Sequence, residues 1–353
     1  MRYSGREWDI TRGTVKILLQ TRFFPSVGGI ETLALILCRE WQSLGHKVTV
    51  STDVQSPEKT EQFPYPVHYQ ADHKLLIDLW RSNDVVVMMN VSLKTVWPIL
   101  LIRTPLIFIH QSNYWLDRKE RRDWRERLKL SIAEKNSYNV CASLFIREAT
   151  DLRAARIIPN CYDDSVFKEV KSAKRPRSVA FVGRLVSDKG ANLLLEAAAS
   201  YPGEMDLEIT IIGDGPERAA LEDHAGSFAR HRFRFTGSLS AELVAAELRE
   251  HEILVVPSIW KEPFGIVALE GMACGCVPLV SDGGGLPEAV GNAGQVFQSG
   301  NARDLAEQIQ NLLGDDLLRT SLRAAAPSHL SRHTARKMAE DYLELARRAV
   351  DES

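Results

Sequence analysis

PSIWKEPFGIVALEGMACGCVPLVSDGGGLPE, from Pro257 to Glu288, is the stretch in which this chain states its chemistry. It sets one acid, Glu262, in a short loop ahead of the apolar run Ile266 to Ala273. A second acid, Glu270, interrupts that run, and Gly275 and Pro278 close it. The spacing predicts a helix over 266–273. A carboxylate inside an otherwise apolar helix is costly unless something meets it, and a polyhydroxylated ligand is the simplest partner.

Around this stretch lies a chain of 353 residues, 25% charged and 44% apolar, with the composition of a globular protein long enough for two domains. The N-terminus, MRYSGREWDITRG, shows no apolar core of a secretory signal. The most apolar run, Trp97 to Ile109, is broken by Pro98, Arg103 and Pro105 and is too short to span a bilayer. Cys38, Cys141, Cys161, Cys274 and Cys276 show neither zinc nor disulfide spacing and read as small buried thiols of a reducing cytoplasm, Cys274-Gly-Cys276 included.

Charge is uneven. Residues 1–173 hold 25 Lys and Arg against 20 Asp and Glu, and the remainder 19 against 26. Much of the positive excess falls in 117–135, DRKERRDWRERLKLSIAEK, which also contains Trp124 and Leu128. Such a helix either rests on an anionic membrane surface or is solvated, with Asp123, Glu126 and Glu134 interleaved among the cations. Nothing points to nucleic acid.

The same rhythm runs twice along the chain. Strands are predicted at 15–19, 48–51, 85–89, 106–109 and 139–142, then again at 179–182, 208–212, 253–256 and 278–281. Helical periodicity falls between them at 31–44, 193–199, 218–224, 241–249 and 266–273. Alternation of this kind implies α/β architecture with parallel sheets covered on both faces. The polar segment 170–176 reads as the linker. The expected organisation is therefore an N-terminal Rossmann-like domain over 1–172, a second over 173–330, and C-terminal helices over 331–353.

Doubly wound sheets bind ligands where their strands end, so those loops carry the reading. After the first strand comes PSVGGIE, whose Gly28 and Gly29 lead into a helix and let backbone approach a phosphate, or simply form a turn. His110 follows the strand ending at Ile109. In the second half, Gly183-Arg184 leaves a strand and Asp188-Lys189-Gly190 opens a helix, setting two cations in one loop as a diphosphate would need. The loop at Gly213-Asp214-Gly215 is glycine-rich but lacks the third glycine of GxGxxG, which disfavours a dehydrogenase. No Walker A sequence and no Asp-x-Asp pair occurs, so no metal is expected.

Together these loops resemble the GT-B glycosyltransferases, specifically the large retaining group called family 4, or glycosyl transferases group 1. The motifs are FVGRLVSDKG, IIGDGPE, FTGSLS and the Glu262-x7-Glu270 element, with GGIE at 28–31 and PNCYD at 159–163, where the family commonly has glycine in place of Cys161. Residues 51–83 show no match.

The resemblance implies two Rossmann-like domains facing a central cleft, with the C-terminal helices crossing back to the first. It further implies that Arg184 and Lys189 neutralise the departing diphosphate and that Glu270 accepts hydrogen bonds from the ribose. Glu262 contacts the donor sugar with the N–H groups of Phe264, Gly265 and Ile266, and His110 touches the transferred sugar. Gly183 and Gly213, with Gly28 and Gly29, border the substrates. The implied enzyme is a retaining, metal-independent hexosyltransferase. Its donor is a UDP- or GDP-linked sugar, and its acceptor a glycan, glycolipid or small molecule. Cell-surface polysaccharide or glycolipid assembly is the implied setting, in the cytoplasm or peripheral on the inner membrane surface. A sugar-nucleotide epimerase of the same architecture and a non-catalytic sugar-nucleotide-binding protein are the alternatives.

Overall fold

The computed structural model describes residues 13–23, 28–57, 62–111, 124–136, 138–170 and 178–352. Residues 171–176 of the expected linker, residues 117–123 of the basic stretch and the first twelve residues lie outside the described residues.

The first sheet has seven strands: β1 (Lys16–Gln20), β2 (Lys47–Thr52), β3 (Val67–Tyr69), β4 (Val85–Met89), β5 (Leu106–His110), β6 (Asn139–Cys141) and β7 (Arg156–Ile157). Their spatial order is β3-β2-β1-β4-β5-β6-β7. Its helices are α1 (Gly29–Ser43), α2 (His73–Ser82), α3 (Trp124–Lys135) and α4 (Leu144–Thr150).

The second sheet repeats the plan with six strands: β8 (Ser178–Val182), β9 (Glu208–Ile212), β10 (Arg232–Gly237), β11 (Ile253–Val256), β12 (Val277–Ser281) and β13 (Gln295–Phe297). Their order is β10-β9-β8-β11-β12-β13, and the paired strands run parallel, as in β8–β9 and β11–β12. Both orders reverse direction beside the first strand of the sheet, between β1 and β4 and between β8 and β11. Reversal points of that kind open a crevice at the strands' C-terminal ends.

The interleaved helices of this half are α5 (Ala191–Ala199), α6 (Arg218–Gly226), α7 (Ala241–Arg249), α8 (Ile266–Ala273) and α9 (Leu286–Val290), followed by α10 (Ala302–Gly314), α11 (Asp316–Leu330) and α12 (Ala335–Asp351).

Strand parity explains the unbroken apolar runs. Val179, Phe181, Ile209, Ile211, Val255 and Leu279 pack with α5 and α10 in one core. Ala180, Leu254, Val256 and Val280 pack with α7, α8 and α9 in another. A strand buried on both faces needs no polar alternation, which is why β8, β11 and β12 are plain in the sequence. The four strands not expected from sequence, β3, β7, β10 and β13, lie at or near the sheet edges. β10 reads RFRFTG with outward arginines, and β7 has only two residues, so neither forms an apolar run.

The chain divides into two compact units. One takes the described residues up to Ile109 with 135–138 and the chain from Tyr342 onward; the other takes 110–134 and 139–341. In the first unit the end of α12 is fixed by Tyr342, edge-on to Trp41 at 6.5 Å, and by Glu352, which accepts from Tyr138 Oη at 2.6 Å. All five cysteines are buried thiols. Among the described residues no helix is long and apolar enough to cross a membrane.

Candidate active site

In the second unit, the loops leaving β8, β9, β11 and β12 interlock through their backbones. Gly183 N–H donates to Ile212 O (3.0 Å), Leu185 N–H to Asp214 O (2.9 Å), and Ile259 and Trp260 N–H both to Asp188 O (3.0 and 3.1 Å). Gly285 N–H reaches Glu262 O at 2.7 Å. Two glycines make this contact possible. Gly190, at φ +72°, presses on Pro257 so closely that a Cβ would lie 2.0 Å from its carbonyl oxygen. Gly284, at φ +69°, would set a Cβ 2.2 Å from Glu262 O. Each combines a left-handed backbone with no room for a side chain. Gly190 and Gly284 therefore hold loop against loop.

That scaffold brings the predicted side chains together. Lys189 closes a 3₁₀ turn over Ser187–Lys189, and its Nζ lies 2.5 Å from Glu262 Oε1. Ser258 Oγ donates to the same oxygen at 2.9 Å, and the Ser258 carbonyl is held by Ser281 Oγ at 2.7 Å. Glu262 thus fixes Lys189 from below while its own position is fixed by a buried serine. Arg184 leaves the neighbouring loop exposed to solvent and, among the described residues, makes no ion pair. Asp188 Oδ1, between them in sequence, is buried without a hydrogen-bond partner among the described residues. An anion entering here would meet one free guanidinium and one ammonium already oriented.

Glu270 sits in the middle of α8, half-buried, and no described residue donates to its carboxylate. Burial pushes its carboxyl up to about 7, and the charge of Asp163 adds to the shift. A half-buried carboxylate that no described residue meets is poised to accept hydrogen bonds from a ligand. The helix carrying it starts at Gly265, which serves as N-cap without any side-chain cap, leaving the first-turn amides directed at the loop. Phe264, Gly265 and Ile266 all lie at that start.

At the first sheet, His110 is the last residue of β5 and is 1% exposed. Asn139 Nδ2 donates to Ala133 O at 2.8 Å, so Asn139 Oδ1, 2.9 Å from His110 Nε2, accepts the imidazole proton. Burial lowers the His110 pKa, leaving a neutral ring. Gly28 is the extended N-cap of α1 and Gly29 its first residue; a Cβ on Gly28 would stand 2.7 Å from Glu31 Oε2, so that carboxylate is folded back over the helix start. In the basic stretch, α3 exposes Trp124 and Leu128, four residues apart, and the Arg125 guanidinium lies 5.5 Å from the Trp124 ring centre.

Three supports were not read from sequence. Ser258 orients Glu262, as described. Glu288 clasps the start of α4, accepting from the N–H groups of Leu144 (2.8 Å) and Phe145 (2.9 Å), while Ser143 Oγ donates to Pro263 O at 2.6 Å. Asn160 of the PNCYD motif forms a reciprocal amide pair with Gln111, at 2.7 and 2.8 Å. The partners in the last two cases are 49 to 144 residues apart, and no local pattern signals them.

Residues 163–329 match the family described as glycosyl transferases group 1. Over 222 residues the chain is 31% identical to the phosphatidyl-myo-inositol mannosyltransferase of Mycobacterium leprae, covering 60% of this chain and 57% of that protein. Over 178 residues it is 34% identical to the D-inositol 3-phosphate glycosyltransferase of Corynebacterium jeikeium, covering 47% and 42%. The chain thus spans less than two thirds of the length of these curated relatives. Among solved structures, Anabaena HepE in complex with UDP superposes with a TM-score of 0.79 at 18% identity, covering 94% of this chain and 99% of that one. Sucrose-phosphate synthase from Thermosynechococcus elongatus gives 0.78 at 20%, covering 96% and 100%. The fold is GT-B.

Proposed function

We propose, from the premise that residues 163–329 belong to the glycosyl transferases group 1 family, that this protein is a retaining glycosyltransferase. It moves a hexosyl unit from a UDP- or GDP-linked sugar to an acceptor hydroxyl. The observation that carries the reading is Glu270, an unpaired, half-buried carboxylate on α8 that suits the ribose hydroxyls of a nucleotide.

The remaining roles follow from charge and reach. As the anomeric C–O bond breaks, negative charge gathers on the departing nucleoside diphosphate. Arg184 and Lys189 stabilise that charge more in the transition state than in the ground state, without calling on a metal ion. Glu262 orients Lys189 before the donor arrives and contacts the transferred sugar, aided by the amides of Phe264, Gly265 and Ile266. Gly183 and Gly213 let the backbone close around the diphosphate. Neutral His110 offers hydrogen bonding to the sugar, and Gly28 and Gly29 admit the acceptor. A phosphate oxygen of the leaving group takes the acceptor proton, so neither Glu262 nor Glu270 acts as base.

A lipid-linked or glycan acceptor fits the exposed Trp124 and Leu128 of α3 among their arginines, with the enzyme peripheral on an anionic inner membrane surface and serving polysaccharide or glycolipid assembly. Co-sedimentation with phosphatidylglycerol vesicles, lost in Trp124→Ala/Leu128→Ala, is the expected result. The central test is donor cleavage. UDP-glucose, UDP-N-acetylglucosamine and GDP-mannose are offered in turn, with and without chelator, and one is expected to release its nucleoside diphosphate equally in both conditions. No cleavage of any nucleotide sugar, or epimerised donor as product, refutes the reading.

A further inference from the structure

The Gln111–Asn160 amide pair and the Phe264 loop share a neighbour that the roles above leave unused. His333 follows α11 and is 6% exposed. Its Nδ1–H donates to Asn160 O at 3.1 Å, and its own carbonyl accepts from Tyr162 N–H at 3.2 Å. The turn after α11 is thus fastened to the PNCYD segment at two points. The His333 ring also packs on Phe264, with centroids 5.5 Å apart and planes tilted by 41°. Beside it lies the ring of His329, 4.8 Å away between centroids. His329 is itself fixed, because its Nε2–H donates to Ala289 O at 2.7 Å and its Nδ1 accepts from Arg332 at 3.1 Å. Burial pulls the His333 pKa down to about 4 against the Asn160 hydrogen bond, and the His329 and Arg332 charges add to the fall. At neutral pH the ring is uncharged, with its one proton held on Nδ1 by the Asn160 carbonyl.

Two loops of the second unit meet at this ring. On one side, Asn160 passes the restraint to Gln111 through hydrogen bonds of 2.7 and 2.8 Å, and Gln111 directly follows His110. On the other, Phe264 precedes Gly265, the N-cap of α8. Asn160, Gln111 and Phe264 are all buried. These loops carry the His110 ring and the Phe264 amide that are proposed to meet the transferred sugar. A buried polar network with its partners in place favours one arrangement, and reacting groups tolerate little displacement from it.

We infer that His333 is a positioning residue for sugar transfer, which holds the Phe264 loop and, through Asn160 and Gln111, the His110 loop in a fixed relation. It acts through these partners and not on the substrate. The inference deepens the transferase reading and rests on it. The two fail separately, because donor cleavage by the wild type decides the reading and variants at 333 decide the role.

Two substitutions divide the ring's contacts. H333N keeps an N–H near the Nδ1 position for Asn160 O but takes the ring away from Phe264. H333F keeps the ring contact but leaves the Asn160 carbonyl without its donor. UDP-glucose, UDP-N-acetylglucosamine and GDP-mannose are the probes for cleavage, and the matching free nucleoside diphosphate is the probe for calorimetry. Each variant should bind the free nucleoside diphosphate within about twofold of wild type, since Arg184, Lys189 and Glu270 are untouched. Each should cleave the donor at least about tenfold more slowly in kcat. A role in core packing alone would lower the melting temperature and leave kcat per folded molecule where it was. Normal kcat in either folded variant overturns the inference. So does an equal loss of nucleotide binding and cleavage, or failure of both variants to fold, since either makes the ring a structural group only.

Discussion

At the strand ends of the second sheet almost every polar group has been met before a ligand arrives: carbonyls receive loop amides, glycines seat against backbone, and Lys189 is held by Glu262 and Ser258. At the end of β1 in the first sheet the opposite holds, with the Gln20 amide buried and without a partner among the described residues. The second sheet has the form of an electrostatic cradle in which the orientation of Lys189 is settled during folding; Arg184, Glu270 and the buried Asp188 Oδ1 are left open among the described residues, and the first two are proposed to engage a nucleotide. The first keeps its polar capacity in reserve. Preorganisation of charge suits a group that recurs in every turnover, such as a diphosphate.

The contrast breaks most visibly at the cations. Arg184→Ala and Lys189→Ala should each raise the barrier by about 2–4 kcal/mol, a loss of roughly 30- to 1000-fold in kcat, with the melting temperature little changed. Steady-state kinetics on the donor that turns over checks this, and normal turnover in either variant removes the cradle's function. Gly190→Ala tests the scaffold itself. A Cβ 2.0 Å from the Pro257 oxygen, on a left-handed backbone, should cost about 2–4 kcal/mol of stability in urea unfolding, where a merely flexible loop would show almost none.

Smaller effects refine the comparison. Glu270→Gln should weaken binding of the free nucleoside diphosphate about tenfold in calorimetry, the worth of one or two charge-assisted hydrogen bonds. Its pH dependence has a definite sign. The folded carboxyl titrates near 7, above its ordinary value of 4.5, so between those values the native state binds more protons than the unfolded one. Stability of the unliganded protein should therefore fall as pH rises from about 4.5 to 7. Nucleotide affinity should rise over pH 6–8, because only the ionised carboxylate accepts two hydroxyl protons. Both slopes should flatten in Glu270→Gln.

Much of the second sheet was legible because its chemistry is local. An acid amid the apolar residues of α8, two cations five residues apart in one strand-end loop, and apolar runs long enough to be buried on both faces all announce themselves within a few positions. Glu288 escaped because its partners, the amides that open α4, are more than 140 residues away. Ser258 escaped because a serine beside a proline reads as loop until the fold turns its hydroxyl onto Glu262. β10 escaped because Arg232-Phe233-Arg234-Phe235 alternates, the period of a half-buried edge strand, and forms no continuous apolar run. Gln20 was hidden for another reason: a glutamine at the end of an apolar strand is unremarked until no partner for its amide is found among the described residues.

The cysteines have a practical consequence. All five are buried, and burial pushes the Cys141 thiol up to about 11 and the Cys38 thiol up to about 12, far from the thiolate that alkylating reagents attack. The native chain should thus be silent to maleimide at neutral pH, as mass spectrometry of the folded protein would record. A single cysteine introduced at Leu100, a residue 83% exposed, would then take a fluorophore alone, with no need to strip the natural thiols from the core. The fold comes with its own blank background for optical labelling.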